Sequence, residues 1–343
     1  MNIFGQEGES NLLKMIPENK IAGVLKAVKT AFGTEQFSTP VPLLKGLSSA
    51  QLYKIVVKDT ACVLRIITRT DEMANPSNYL EPMTLAAAQS LCPPLYYFSE
   101  EDRILLTGYI EAHPFARIRA LKEMPLLIRK LHDLPKFKGR LNYFNAMEGF
   151  MKRFLQTHML PEETTREVVE IYQRIASVYP TQKALEWVSS HNDLKVENII
   201  FDGIRPWIVD WESAFLNDPY LDLAVFGNFV IYNDLEESEY LSGYFGSRPT
   251  PYQSARYFLL GQMLHVYYFT FLMLAGFEGK PVSPPLMGKL DFYSFHNRIW
   301  QGDIRIEAPE IKRQYGWVHL QEFLRKCATP RHAVSLAILA SGS

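Results

Sequence analysis

Apolar and β-branched residues crowd two neighbouring stretches in the first third of the chain, QLYKIVVK (51–58) and ACVLRIITR (61–69). The Asp59-Thr60 pair between them predicts a two-residue hairpin. The pattern then turns helical in NYLEPMTLAAAQSL (78–91), where Leu80, Leu85 and Leu91 recur among alanines and Pro82 is expected in the first turn. After Pro93-Pro94, PLYYFSEEDRILLTGYI (94–110) reads as a second hairpin turning at Ser99 to Asp102, so about five strands and one helix fit in this region. From Pro114 onward the spacing is helical, as in ARIRALKEMPLLIRKLHDL (116–134), with one interruption. There NIIF (198–201) and WIVD (207–210) flank DGIRP, whose Asp202-Gly203 signals a tight turn. The pattern therefore predicts an α+β chain in two parts, 1–109 with a small antiparallel sheet and a helix, and 110–343 mostly helical.

Composition narrows the setting. A chain of 343 residues with 47% hydrophobic content can fill a sizeable core, and a net charge of -1 lacks the basic excess of a nucleic-acid binder. Cys62, Cys92 and Cys327 are odd in number and form no CxxC pair, which argues against a disulfide framework and against zinc. A reducing compartment is expected, and the N-terminus shows no basic start followed by an apolar run, so the expected location is cytoplasmic. The stretch 257–277, YFLLGQMLHVYYFTFLMLAGF, is nearly long enough to span a bilayer. Thr250, Pro251 and Gln253 before it read instead as the capped start of a buried soluble helix, Gly276 as its stop, and Gln262, His265 and Thr270 would sit poorly in lipid. No membrane partner is expected.

The chemistry gathers at the interruption. Asn198 lies six residues before Ile204 and Asp210 six after it, which predicts that the two stand roughly opposite each other at the open end of the hairpin. Opposed side chains are about 5 Å apart at Cβ, close enough for a carboxylate and an amide oxygen to share one hard cation such as Mg²⁺. Asp193, five residues before Asn198, suits a base that orients an attacking hydroxyl.

The whole segment SHNDLKVENIIFDGIRPWIVDWE (190–212) resembles the catalytic loop and metal-binding segment of the protein-kinase-like superfamily. VDWE and the later NDPYLDLA (217–224) resemble the aminoglycoside phosphotransferase and choline kinase family more closely, and HND looks like the choline kinase form. The resemblance implies a protein-kinase-like two-lobe fold, with Asp193 as catalytic base, Asn198 and Asp210 as magnesium ligands, and His191 and Asp222 shaping the loop. LLKGLSSAQLYKI (43–55) resembles the family's loop over the phosphates, where Gly46, Ser48 and Ser49 would let backbone amides approach an anion. Arg65 stands where protein kinases carry a strand lysine, with Glu81 as candidate partner, and Tyr109 and Ile110 end the stretch whose backbone would meet adenine.

The implied reaction is Mg²⁺-dependent transfer of the γ-phosphate of ATP, with GTP as the alternative nucleotide, to a hydroxyl of a small molecule: choline- or ethanolamine-like, aminoglycoside-like, a sugar or an amino alcohol. Trp211, Glu212, Tyr267, Trp300 and Trp317 are the candidate acceptor contacts, since aromatics with an acid suit a cationic compound. Lys195, two residues after Asp193, is a feature of serine/threonine protein kinases and raises that alternative. Against it, only eleven residues separate Asp210 from Asp222, too few for a long activation loop. A catalytically silent kinase-fold module is the remaining alternative.

Overall fold

The computed structural model describes residues 15–43, 50–70, 75–139, 142–181, 186–282, 291–301 and 303–342, except for the side chain of Trp300. The chain divides into two units, Met1–Phe115 with Asn198–Ala214, and Ala116–Glu197 with Phe215–Ser343.

In the first unit a five-stranded antiparallel sheet runs in the order β1 (Val41–Pro42), β2 (Gln51–Val57), β3 (Thr60–Ile66), β5 (Ile104–Gly108), β4 (Leu95–Ser99). Alternation along β3 sends Cys62, Leu64 and Ile66 to one face, fully buried. Helix α1 (Ile21–Phe32) lays Val24, Ala27 and Val28 on that face, together with Ile55, Val57 and Leu106. The same alternation turns Val63 and Arg65 to the other face, which is how one cation comes to stand on an otherwise apolar strand. Helix α2 (Ser77–Ala88) follows, and a short hairpin, β7 (Ile199–Phe201) with β8 (Pro206–Ile208), completes the unit. Its attachment is specific: Ile208 N–H donates to Leu91 O at 2.8 Å, His113 N–H donates to Phe201 O at 2.7 Å, and the Phe115 and Phe201 rings stack at 4.6 Å.

The second unit is helical around one two-stranded ribbon, β6 (Val188–Ser190) with β9 (Phe215–Asn217). Its helices are α3 (Arg117–His132), α4 (Tyr143–Gln156), α5 (Glu162–Val178), α6 (Pro219–Val230), α7 (Asp234–Phe245), α8 (Pro251–Ala275), α9 (Phe292–Trp300), α10 (Pro309–Cys327) and α11 (Pro330–Ser341). Helix α8 is the axis, packing against α4, α6, α10 and α11, and it is apolar on every side because every side is covered. By length and composition it is the one helix among the described residues that could cross a membrane, and 72% of its most apolar stretch is buried. Its start is the expected one, with Thr250 and Gln253 exchanging side-chain and backbone hydrogen bonds as a capping box and Pro251 in the first turn.

The α+β class with a small antiparallel sheet and a mostly helical remainder is thus the one observed. Four local expectations need correction. The β2–β3 turn is Lys58-Asp59, both at positive φ (44° and 66°) as a tight right-twisting hairpin requires, because Val57 pairs with Thr60. Pro82 lies in the second turn of α2, not the first. Helix α1 went unforeseen, and three-residue strands interrupt the helical region at 188–190 and 215–217.

Candidate active-site residues

In the helical unit, the ribbon β6–β9 delivers the loop that follows Ser190, and a single carboxylate shapes it. Asp222 sits in the first turn of α6, which Asp218 caps by accepting from Tyr220 N–H at 2.9 Å. Fully buried, Asp222 accepts at Oδ2 from Ser190 Oγ (2.9 Å) and His191 N–H (2.8 Å), with His132 Nε2 at 3.1 Å, and at Oδ1 from Asn192 N–H (2.7 Å). Burial alone would push this carboxyl up, but the His132 hydrogen bond, the charges of His132 and His191 and the loop amide outweigh it and hold it below its ordinary value. The bend itself falls on Asn192, at φ 65°, whose side chain accepts from Asn217 Nδ2 at 2.9 Å and donates to Ser190 O and Phe215 O. A left-handed residue costs least as Gly, Asn or Asp, and here the asparagine also ties the bend to both strands.

Asp193 follows directly, its side chain 31% exposed, with Lys195 Nζ 2.9 Å from Oδ2. Around it stand three tyrosines of the same unit. Tyr143 and Tyr267 rings lie 5.2 Å apart, Tyr267 and Tyr268 rings 5.4 Å. Burial first, and the Asp193 charge among others, raise the pKa of all three phenols, so each remains a neutral hydroxyl able to donate. Behind the loop a second buried anchor joins Arg256 to Asp218 (2.8 Å) and Glu186 (2.6 Å).

In the sheet unit, Arg65 grips two acids. Its Nη1 lies 2.7 Å from Asp210 Oδ1 and its Nη2 2.7 Å from Glu212 Oε2. Its Nε is buried without a partner. Burial would lower the guanidinium pKa, yet the charge and hydrogen bond of Asp210 raise it overall. Beside it Tyr79, 6.0 Å from the guanidinium carbon at its ring centre, has its phenol pushed up to about 12, chiefly by burial. Asp210 takes φ 67°, ψ 62°, a sharp turn into Trp211–Ser213. The register pairs Ile199 with Ile208, and Val209 N–H donates to Asn198 O at 2.9 Å, so the residue opposite Asn198 is Val209 and Asp210 lies one step beyond. The two expected ligands are therefore diagonal rather than opposed.

A cavity of 130 Å³ in this unit runs from Arg65 and Asp210 past Leu52, Val63, Met83 and Ile208 to the backbone of Gly108–Ile110. Along that edge Gly108 N–H is taken by Pro94 O and Tyr109 N–H by Ala61 O.

These observations place the expected residues as follows. Asp193, Lys195, His191 and Asp222 come together in the helical unit; Arg65, Asn198, Asp210, Glu212, Tyr109 and Ile110 belong to the sheet unit. Glu81 is half-buried on α2, while the carboxylates seen to hold Arg65 are those of Asp210 and Glu212. Gly46, Ser48 and Ser49 lie outside the described residues, as does the Trp300 side chain. Tyr267 is near Asp193, but Trp211 (2% exposed, donating to Ile208 O) and Trp317 (6% exposed, against Phe269) are core. Tyr143, Tyr268, His132 and Asn217 were missed, because their roles depend on contacts far along the chain.

For a divalent cation the donors are hard oxygens, the Asp210 carboxylate and the Asn198 amide. Among the described residues no group of three or more His, Cys, Asp or Glu stands ready as a preformed cage. Oxygen donors of this kind fit Mg²⁺, which keeps several waters and needs only one or two carboxylates. The unpartnered Arg65 Nε and the apolar slot beside it fit a nucleotide with its phosphates toward Arg65.

Comparison with known proteins gives a family and a fold. The sequence profile of the phosphotransferase enzyme family (APH) matches residues 41–257. No curated protein sequence matches the chain. Among solved structures, a choline/ethanolamine kinase family protein from Mesorhizobium loti superposes with a TM-score of 0.64 at 20% identity, covering 89% of this chain and 93% of its own. The choline kinase LicA from Streptococcus pneumoniae gives 0.59 at 16% identity over 90% and 98%. The ADP-bound aminoglycoside phosphotransferase APH(2'')-Ib gives 0.55 at 13% identity over 85% and 99%. At these identities the likeness is one of fold.

Proposed function

Since this chain belongs to the APH phosphotransferase enzyme family, we propose that it transfers the γ-phosphate of ATP to a hydroxyl of a small molecule, with Mg²⁺ as the metal. The observation that carries the proposal is the pinned loop: the backbone amides on the amino-terminal side of Asp193 are spent on one buried carboxylate, which fixes the backbone that presents Asp193. A base for a hydroxyl needs that orientation more than it needs an unusual basicity, since the chemistry of phosphoryl transfer rests mainly on positioning and charge neutralisation.

The residue roles follow from what each can do. Asp193 accepts the hydrogen bond of the acceptor hydroxyl and later its proton. Lys195, held 2.9 Å from Asp193, is placed to meet negative charge on the transferred group. Asn198 and Asp210 would hold Mg²⁺, which when bound neutralises phosphate charge. Arg65, a fixed cation with an unsatisfied Nε, meets phosphate oxygens, and the apolar slot with the Tyr109 carbonyl and Ile110 amide takes the base. Tyr143, Tyr267 and Tyr268, whose phenols feel the Asp193 charge, would form the acceptor side, and aromatics beside one carboxylate favour a hydroxyl compound that is also a cation, of the amino-alcohol kind.

The test is transfer of labelled γ-phosphate with Mg²⁺ to a panel of choline, ethanolamine, aminoglycosides, amino alcohols and sugars, beside the Asp193→Asn variant. A labelled small molecule that disappears with the variant is expected. Label on protein alone would replace this reading with a protein kinase, and a variant as active as the parent would remove Asp193 from the reaction.

A further inference from the structure

The helical unit holds a polar cavity of 250 Å³ whose walls include no residue of the catalytic loop. It lies among the end of α6, the start of α7, the first half of α8, and the junction of α10 with α11. Its charged lining residues are Arg325, Lys326 and Arg331, with Asp234 and Glu237. Arg325 takes both oxygens of Glu322, at 2.7 Å each, and Lys326 Nζ reaches the same carboxylate only at 3.6 Å. Two cations thus share one close anion; Asp291 acts on Arg325, and Glu237 on Lys326, through longer-range charge only. The acids of the lining are Asp234, exposed and 3.2 Å from Arg331, and Glu237, both of whose oxygens Arg331 takes.

In the same lining a buried acceptor waits for a donor. Gln262 is 1% exposed; its amide nitrogen donates to Phe258 O at 3.0 Å, but its Oε1 has no hydrogen-bond partner. A buried amide oxygen left unsatisfied costs free energy that any N–H or O–H entering the cavity would recover. Burial also holds the Lys326 ammonium below its ordinary pKa, and a carboxylate brought beside it would favour its charged form.

We propose that this cavity binds a small zwitterion, a molecule with a primary ammonium and a carboxylate joined by a short apolar spacer. The carboxylate goes to Lys326 and Arg325, the ammonium toward Asp234 and Glu237, and one of its N–H groups to Gln262 Oε1. A plain anion would satisfy only the cations and would also meet two carboxylates; a plain cation would meet Lys326. None of the residues assigned to phosphotransfer lines this cavity, so its occupant is a second ligand rather than the phosphate acceptor.

Calorimetric titration of the full chain with 4-aminobutyrate, glycine and 6-aminohexanoate tests this, with butyrate and butylamine as singly charged controls. At least one of the three zwitterions is expected to bind about tenfold or more tightly than either control, and Lys326→Met is expected to weaken it by about tenfold or more, the scale of a lost hydrogen bond to a charged group. Gln262→Leu, which keeps the side-chain volume and removes the acceptor, is expected to weaken it as well, and unchanged melting temperatures would show that both variants fold. No binding of any of the three zwitterions by the folded parent would overturn the proposal. So would butyrate binding as tightly as the zwitterion, or both folded variants binding like the parent.

Discussion

Three buried histidines make the stability of the helical unit a function of pH in a way that can be worked out beforehand. His265, His296 and His319 are each 1% exposed or less, and they lie among Phe229, Phe292, Tyr268 and Tyr315. The Nδ1 atoms of His265 and His319 are 3.0 Å apart, so one ring must donate and the other accept, a pairing that two charged rings cannot make. Burial lowers the pKa of all three, that of His296 to about 4 and those of His265 and His319 well below the ordinary 6.5. The sign follows directly. Above about pH 6.5 both folded and unfolded chains carry neutral rings, and these groups give no pH dependence. As pH falls below 6.5 the unfolded chain binds protons that the folded one refuses, and stability is lost until the folded pKa values are reached. One unit of pKa difference is about 1.4 kcal/mol, so His296 alone removes about 1 kcal/mol by pH 5.5 and between 2 and 3 kcal/mol by pH 4.5. His265 and His319 add losses of the same sign. Urea unfolding from pH 7.5 down to 4.5, followed by tryptophan fluorescence, measures the loss, with His296→Phe as the comparison. The variant should lose less stability than the parent over that range by the His296 share. A parent whose stability is flat from pH 7 to 5, or a His296→Phe variant whose pH dependence matches the parent's, would refute the reasoning.

Three further outcomes are expected. Asp222→Asn should cost about 2 to 5 kcal/mol and reduce transfer far more than nucleotide affinity, because an amide cannot accept from all the donors that now converge on the carboxylate; equilibrium unfolding together with a kcat and KM comparison checks both parts. Gly227→Ala should destabilise by about 1 to 3 kcal/mol, since a β-carbon there would stand 2.0 Å from the Tyr257 hydroxyl oxygen, and a melting temperature equal to the parent's would show that α8 yields more easily than its packing suggests. Asp210→Ala should abolish Mg²⁺-dependent ATP binding, and calorimetry giving an unchanged Mg²⁺-ATP affinity would remove Asp210 from the metal assignment.

Much of this architecture is written in local patterns, and what was missed has a common cause. The hairpin at 199–208 was legible because Asp202-Gly203 punctuates two short apolar runs, but the register came out one residue wrong. The two-residue loop centres between Gly203 and Ile204, so Asn198 meets Val209. The same slip occurred at Lys58-Asp59, where neither residue is the glycine that usually marks positive φ. Helix α1 begins without a side-chain cap, although Gly33 at φ 69° marks its end, and its apolar positions gain meaning only against the sheet they cover. Arg65 was legible as an anion-holding cation, yet its partners Asp210 and Glu212 lie 145 and 147 residues away, where no spacing rule reaches. Asp222 could be named for its place in the motif, whereas its bonds to Ser190, His191 and Asn192 follow from the pairing of β6 with β9, two strands too short to read.

Helix α8 has a consequence for how the protein is made. It is the most apolar long segment of the chain, and the helices α10 and α11 that cover much of it are synthesised after it. A ribosome that has just released residue 275 has therefore exposed a greasy rod whose lid does not yet exist. Until Pro309–Ser341 emerges, only α4, α5 and α6 are there to pack against it, and exposed apolar surface of this kind makes a growing chain prone to aggregate. Folding of the helical unit is for this reason a late event, completed only once its C-terminal helices have left the ribosome.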